Sequence, residues 1–333
     1  MLSPKENFLE TIKKGGRPDR LVSCYNAIQI FGGDPIAAYL FGNRVRGTDS
    51  YDRFGTLISF PADQPSPVPI VTPENQVIQD IEEWRDYLKF PDLIENCSEG
   101  WEASIANRAA CSEDLLATKL FATGIFEQLH QLMTFEDTLC NFLMYPDEMH
   151  ELIEAITDWK MTYLKMIVEH LHPEMLLSHD DWGSQNSLMM SPEVWREFFK
   201  EPYRRMYDYC HENGIIVMHH SDSFCEPIVS DMADIGIDIW QGVLPSNDIV
   251  RLTKELDGRM ALMGGIESNI DRADASEDEI RTEVRRALRE YGELPNFIPS
   301  YTYGGLGTLF PHVEPIIHEE IRAYNLEHFG LAD

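Results

Sequence analysis

The chain has 333 residues, 43% of them hydrophobic, which is ample for a large core in one domain or two. Its 57 acidic residues outnumber 27 basic ones and leave a net charge of −30, which argues against nucleic acid or an anionic membrane surface as partner. The same field weighs against a substrate carrying many carboxylates. No run approaches the roughly 18 apolar residues that a membrane span requires. The start, Met1 to Glu6, lacks the charged-then-apolar layout of a signal peptide. Cys24, Cys97, Cys111, Cys140, Cys210 and Cys225 are scattered, with no CxxC pair. That pattern points to reduced thiols in a cytoplasm and not to a disulfide framework.

Ser3-Pro4-Lys5-Glu6 opens a helix, with Ser capping and Glu at the third position, and Gly15-Gly16 ends it. Leu21 to Tyr25 reads as a first strand. Residues 43–76 lack a regular pattern and hold Asp52-Arg53-Phe54-Gly55 and a Pro-rich run, so a long loop or small hairpin excursion is expected there. Helices follow around Ile81–Trp84 and Trp101–Ala110, and Lys119 to Gly124 is a second strand. Two short helices, Phe126–Met133 and Phe135–Met144, meet at Thr134. From Pro146, Met149, Leu152, Ile153, Ile156, Trp159, Tyr163, Ile167 and Leu171 keep one apolar stripe along a long helix.

Met175–His179 is the next strand and delivers Asp180-Asp181-Trp182-Gly183-Ser184-Gln185. Ser191-Pro192-Glu193 caps a helix that Pro202 can kink and Asn213-Gly214 ends. Ile215–Met218 is a buried strand that stops in His219-His220-Ser221-Asp222. Ile237–Gly242, Met260–Gly265 and Phe297–Ser300 are further strands. A capping box at Ser276–Glu279 starts a helix between the last two, and a terminal helix spans Pro315–Phe329. Strands and helices alternate from about residue 115. Adding the early strand and one within 43–80 gives about eight strands, so the expected fold is a (β/α)8 TIM barrel in a single domain, 1–333, with an N-terminal helical and loop excursion.

In such a barrel the chemistry sits where strands end. The exits offer Asp180, Asp181 and Gln185; His219, His220 and Asp222; Trp240 and Gln241; Glu267; and Ser300, Tyr301 and Tyr303. His220 and Asp222, two apart, can aim at one point beyond the strand. They suit a divalent metal such as zinc, or equally a His–Asp hydrogen bond that fixes a tautomer for acid–base work. One of the two adjacent histidines can also be a satisfied core residue. Asp180-Asp181 can cap a turn, or share a site that raises one pKa. His220, Asp181 and Asp222 are the expected catalytic residues. His219, Asp180, Trp182, Gln185, Trp240, Gln241, Glu267, Tyr301 and Tyr303 are the expected substrate enclosure.

The sequence resembles the uroporphyrinogen decarboxylase superfamily over nearly its full length. The likeness is carried by Arg17-Pro18-Asp19-Arg20, Pro146-Asp147-Glu148-Met149, Asp180-Asp181-Trp182-Gly183, Ser191-Pro192-Glu193, His220-Ser221-Asp222, Gly264-Gly265 and Pro299-Ser300. That superfamily has a (β/α)8 barrel and divides into decarboxylases and cobalamin-dependent methyltransferases. The decarboxylase branch carries an arginine-bearing segment near its first strand, where this chain reads Val22-Ser23-Cys24-Tyr25-Asn26-Ala27. The methyltransferase branch serving coenzyme M holds zinc through His-x-Cys and a later Cys. Those positions fall here on His220, Asp222 and Ser300, which keeps the imidazole and replaces both thiolates. Nitrogen and oxygen donors leave a metal harder and more Lewis-acidic than thiolates do. The resemblance therefore implies methyl transfer from a small O-methyl donor, such as a methoxylated aromatic, to a corrinoid (cobalamin) protein. Decarboxylation of an aromatic or tetrapyrrole acid, or a barrel that binds a corrinoid without turnover, are the alternatives.

Overall fold

The computed structural model describes residues 1–42, 44–62, 66–302 and 309–331. Ten strands are present among them. β1 (Ile28–Ile30) is followed by β2 (Thr48–Tyr51), β3 (Leu57–Phe60) and β4 (Val68–Pro69). The others are β5 (Leu116–Phe121), β6 (Met175–His179), β7 (Ile216–Ser223), β8 (Ile239–Val243), β9 (Ala261–Gly265) and β10 (Phe297–Ser300). Seven form one sheet in the order β1-β5-β6-β7-β8-β9-β10, and every neighbouring pair is parallel. Residue 24 donates its backbone N–H to Pro299 O at 3.2 Å, so the segment before β1 meets β10 and the curled sheet closes on itself. The result is a TIM-barrel-like α/β fold whose strands read as apolar runs because both faces are covered.

Two expectations are corrected. The first strand lies at Ile28–Ile30 and not at Leu21–Tyr25, whose residues instead pack as a turn whose Cys24 has φ 48°. The 43–80 region adds no barrel strand, so the main sheet counts seven among the described residues. Its strands form a separate antiparallel sheet, β2-β3-β4. Asp52 makes the first hairpin by accepting the N–H groups of Phe54 and Thr56 on Oδ1, both at 2.9 Å, and Gly55 supplies the positive φ of 93°. This excursion docks on the helix Ile125–Leu132 through Ile78 N–H to Leu132 O and Thr56 Oγ1 to Gln131 O.

The long helices sit where the sequence signals put them, while the helices Pro35–Phe41 and Ile249–Leu256 were not anticipated and the opening helix stops at Ile12. The stripe from Met149 to Leu171 buries one face of the 26-residue helix Pro146–Leu171. Ser191 caps the next helix, which breaks at Phe199 so that Pro202 falls in the first turn of a second helix, Lys200–Glu212. A proline there loses no intrahelical hydrogen bond.

Strand alternation then sorts every side chain to the helices or to the interior. Phe121, Ser178, His219, Trp240, Leu262 and Phe297 stand in one register row across β5 to β10. This row faces outward. Phe121 packs on Tyr163 of the long helix, and Ser178 and His219 both bond the Tyr207 hydroxyl of the helix Lys200–Glu212. Asp180, one step beyond His179, continues the outward set and is fully buried. It accepts from Phe126 N–H, Trp182 Nε1–H and Tyr203 O–H on one oxygen and from Glu127 N–H on the other. A carboxylate against the first N–H groups of the helix Ile125–Leu132 satisfies donors that the helix cannot. Burial and then the Glu127 charge raise the Asp180 carboxyl to about 7.

Gly124 lets this contact form. A Cβ there would lie 2.1 Å from Asp180 Cβ, so Gly124→Ala must push the helix and the carboxylate apart. We expect a loss of about 1–3 kcal/mol, the range for overpacking, read from the urea midpoint. Lys160 lies behind the same knot, buried, with Nζ on Thr123 O. Burial pulls its ammonium down to about 8 despite the charges of Asp180 and Glu127, against 10.5 for an unhindered lysine. Below the lower value both folded and unfolded chains hold the proton and folding bears the full cost. As pH rises from about 8 to 10.5 the unfolded chain binds more protons, so stability should rise. Urea unfolding across that window should show the increase in the native chain and not in Lys160→Met.

Candidate metal and substrate site

The row one residue further along each strand points inward. His179 pairs with His220, His220 with Gln241, Gln241 with Met263, and Met263 with Ile298. Both β7 and β8 shift register just past this row, which re-aims the residues at the barrel mouth. Asp181 and Asp222 stand two residues beyond His179 and His220, on the same inward side. The mouth is open beside β5, where inward-facing Leu120 is 40% exposed.

One potential ligand atom from each of His179, Asp181 and His220 lies within 4.8 Å of the others. His220 Nε2 is 3.5 Å from Asp181 Oδ1 and 3.5 Å from Asp222 Oδ1. The Asp181 carboxylate is also tied to β7, because the Asp222 backbone N–H donates to Asp181 Oδ1 at 2.8 Å. Close packing holds the loop after Asp181 against β7, with the Gly183 Cα so near that a Cβ would lie 2.3 Å from Asp222 O.

Hydrogen bonds set the tautomer of His220. Gln241 Nε2 donates to Tyr301 O and Thr302 O, both at 3.0 Å, so its Oε1 is the acceptor that faces His220 Nδ1. The ring therefore carries its proton on Nδ1 and turns an Nε2 lone pair toward the two carboxylates. His179 is held in the same sense, with Nδ1 3.2 Å from Glu127 Oε2.

The two imidazoles differ in charge preference. Burial, then the neighbouring His179 charge, pulls His220 down, and Asp181 and Gln241 only partly offset this. Burial also works against charge on His179, but the hydrogen bond and charge of Glu127, with Asp181 and Asp180 behind, raise it to about 9. Burial first and Asp181 second raise Asp222 to about 7. Among the described residues, Asp222 Oδ1 is buried without a hydrogen-bond partner. A buried acceptor with no hydrogen-bond donor, 3.5 Å from His220 Nε2 at the edge of the His179–Asp181–His220 cluster, matches the needs of a borderline divalent ion such as zinc.

The other expected residues separate. His219 is buried outside the barrel wall, between Tyr207, Asp180 O and the Trp182 ring. Trp182 and Trp240 are fully buried, with indole N–H groups on Asp180 Oδ2 and Ser221 O. Asp180 is consumed by the helix start described above. These four are structural supports of the wall and face away from the mouth. Gln185 is exposed and Glu267 half-buried beside Glu283, whose charge adds to burial in raising it. Tyr301 is buried, with its hydroxyl on Glu314 Oε1 at 3.1 Å. Ser300 stands beside the Cys24 thiol, which burial pushes up to about 12. Tyr303 lies outside the described residues.

Two residues were not anticipated from the sequence. His179 was legible, since His179-Asp180-Asp181 repeats the His-x-Asp spacing of His220-Ser221-Asp222 on the adjacent strand. Glu127 was not, because it reaches His179 from a helix 52 residues earlier.

Comparison with known proteins bears on the whole arrangement. The family model for uroporphyrinogen decarboxylase (URO-D) matches residues 52–311. No curated protein sequence is significantly similar. Among solved structures, a methyltransferase from Methanosarcina mazei superposes with a TM-score of 0.67 at 16% identity, over 99% of this chain and 100% of that one. Dihydropteroate synthase from Anaplasma phagocytophilum aligns at 0.38 and 12% identity, over 52% of this chain and 69% of that one. A sugar phosphate isomerase/epimerase from Parabacteroides distasonis aligns at 0.31 and 10%, over 65% and 72%. The matched span runs from the excursion hairpin through every barrel strand from β5 to β10, and the chain belongs to the uroporphyrinogen decarboxylase family.

Proposed function

We propose that the chain is a methyltransferase that moves a methyl group from an O-methyl donor, such as a methoxylated aromatic, to the cobalt of a corrinoid protein. A single barrel domain spanning 1–333 would carry the reaction, in a reducing cytoplasm that suits six free thiols. One observation carries the reading: two His-x-Asp strand ends whose histidines pair in register, with Asp222 Oδ1 buried without a hydrogen bond 3.5 Å from His220 Nε2.

His179, Asp181 and His220 would hold the metal, with Asp222, expected from sequence beside His220, as a fourth donor and without the Ser300 that was also expected. When bound, such an ion supplies Lewis-acid polarisation of an ether oxygen and lowers the basicity of the leaving group. The chain's own residues do the rest. Gln241 and Glu127 accept the Nδ1 protons, which turns Nε2 of His220 toward the site, and Nε2 of His179 once its second proton is lost on metal binding. The surrounding carboxylates, Asp181, Asp222 and Glu127, favour a neutral donor over an anionic one. Leu120 would line the approach from the barrel mouth and leaves room on the β5 side. Support for methyl transfer comes from the structural likeness to a methyltransferase along its whole length, joined to the loss of arginine from Val22–Ala27.

A second reading has its own observation. Asp222, protonated near neutrality, could exchange a proton with a substrate carbon, as decarboxylation of an aromatic or tetrapyrrole acid requires. The acidic surroundings disfavour that substrate.

Zinc content and methylation of cob(I)alamin by an aryl methyl ether separate the two readings. We expect about one zinc per chain, as for a mononuclear site. His220→Ala should lose zinc and methyl transfer together with an unchanged circular dichroism spectrum, while Ser300→Ala should keep both. Full methyl transfer in His220→Ala, or carbon dioxide release from an aromatic acid without corrinoid or metal, would overturn the assignment.

A further inference from the structure

The two imidazoles are steadied by different chemistry. Gln241, a neutral amide, receives the Nδ1 proton of His220. Glu127, a carboxylate, receives that of His179 at 3.2 Å. An anionic acceptor pushes more electron density onto the imidazole than a neutral one does, and makes its other nitrogen a stronger donor.

Glu127 is itself held on three sides. Its Oε2 also accepts Gly124 N–H at 3.2 Å, and its own N–H donates to Asp180 Oδ1 at 2.8 Å. Asp180 is anchored in turn by Phe126 N–H, Trp182 Nε1–H and Tyr203 O–H. The carboxylate thus reaches His179 from the first turn of a helix whose start is fixed to β6, the strand that bears His179. With a side chain only 16% exposed, it is a fixture of the barrel wall and not a mobile surface acid.

We propose that Glu127 is a positioning residue: it orients His179 and charges its far nitrogen, and so sets how tightly the His179–Asp181–His220 cluster holds a divalent metal. This rests on the metal-site reading above. Gln241 does the weaker version of the same task for His220, so the two sides of the cluster are unequal, with His179 the stronger donor.

The test is zinc affinity of the full, metal-stripped chain, measured by competition with a chromophoric chelator. Glu127→Gln keeps an acceptor for both His179 and Gly124 and removes only the charge, whereas Glu127→Ala removes both. We expect zinc binding about tenfold weaker in the Gln variant and up to about 100-fold weaker in the Ala variant. Because Gln still accepts Gly124 N–H, the metal-free Gln variant should keep the native circular dichroism spectrum, which separates this role from helix capping. A Gln variant that binds zinc within about twofold of the native chain overturns the proposal for Glu127, being far below the loss such partners cause. A native chain that binds no zinc overturns the metal-site reading itself, which is a different result.

Discussion

The whole site depends on one backbone constraint, the parallel register that sets His179 beside His220. Strand side chains alternate, so this single pairing decides the fate of the residues around it. It sends His179, His220, Asp181 and Asp222 to the barrel interior. Ser178, His219, Asp180 and Ser221 go to the opposite side. A slip of one residue would bury the cluster among helices and put a satisfied core histidine at the mouth.

The outward set has work of its own. His219, Trp182 and Tyr203 pack as rings around the Asp180 carboxylate, which gathers four donors and holds the start of the helix Ile125–Leu132. That helix returns Glu127 to His179. The buried polar knot outside the wall and the ligand cluster inside it are therefore one connected structure, and every member of the knot has its partners. A polar network in a low-dielectric interior is favourable only when complete. One of the buried polar atoms without a hydrogen bond among the described residues, Asp222 Oδ1, lies on the inner side; Ser300 Oγ and Thr302 Oγ1 at the end of β10 are others.

Much of this was legible in the sequence. The rhythm of strand and helix gave the barrel-like fold, and the strand exits gave His220, Asp181 and Asp222. Three features were not readable. β2, β3 and β4 fall where a loop or small hairpin excursion was expected, but that none of them joins the barrel was not readable, because short, exposed, turn-rich strands carry little hydrophobic signal. His219 and His220 look alike in one dimension, and only the register with Ser178 and His179 tells inside from outside. Ser300 was expected as a ligand by its place in the family pattern, yet it stands beside Cys24 while His179 and Asp181 supply the donors that complete the cluster.

X-ray absorption at the zinc edge of the loaded protein tests this account most directly. It predicts a shell of nitrogen and oxygen near about 2.0–2.1 Å, with the outer-shell scattering of two imidazoles, one of which disappears in a His179 variant. A sulfur shell near about 2.3 Å, or a spectrum indifferent to His179, would contradict it.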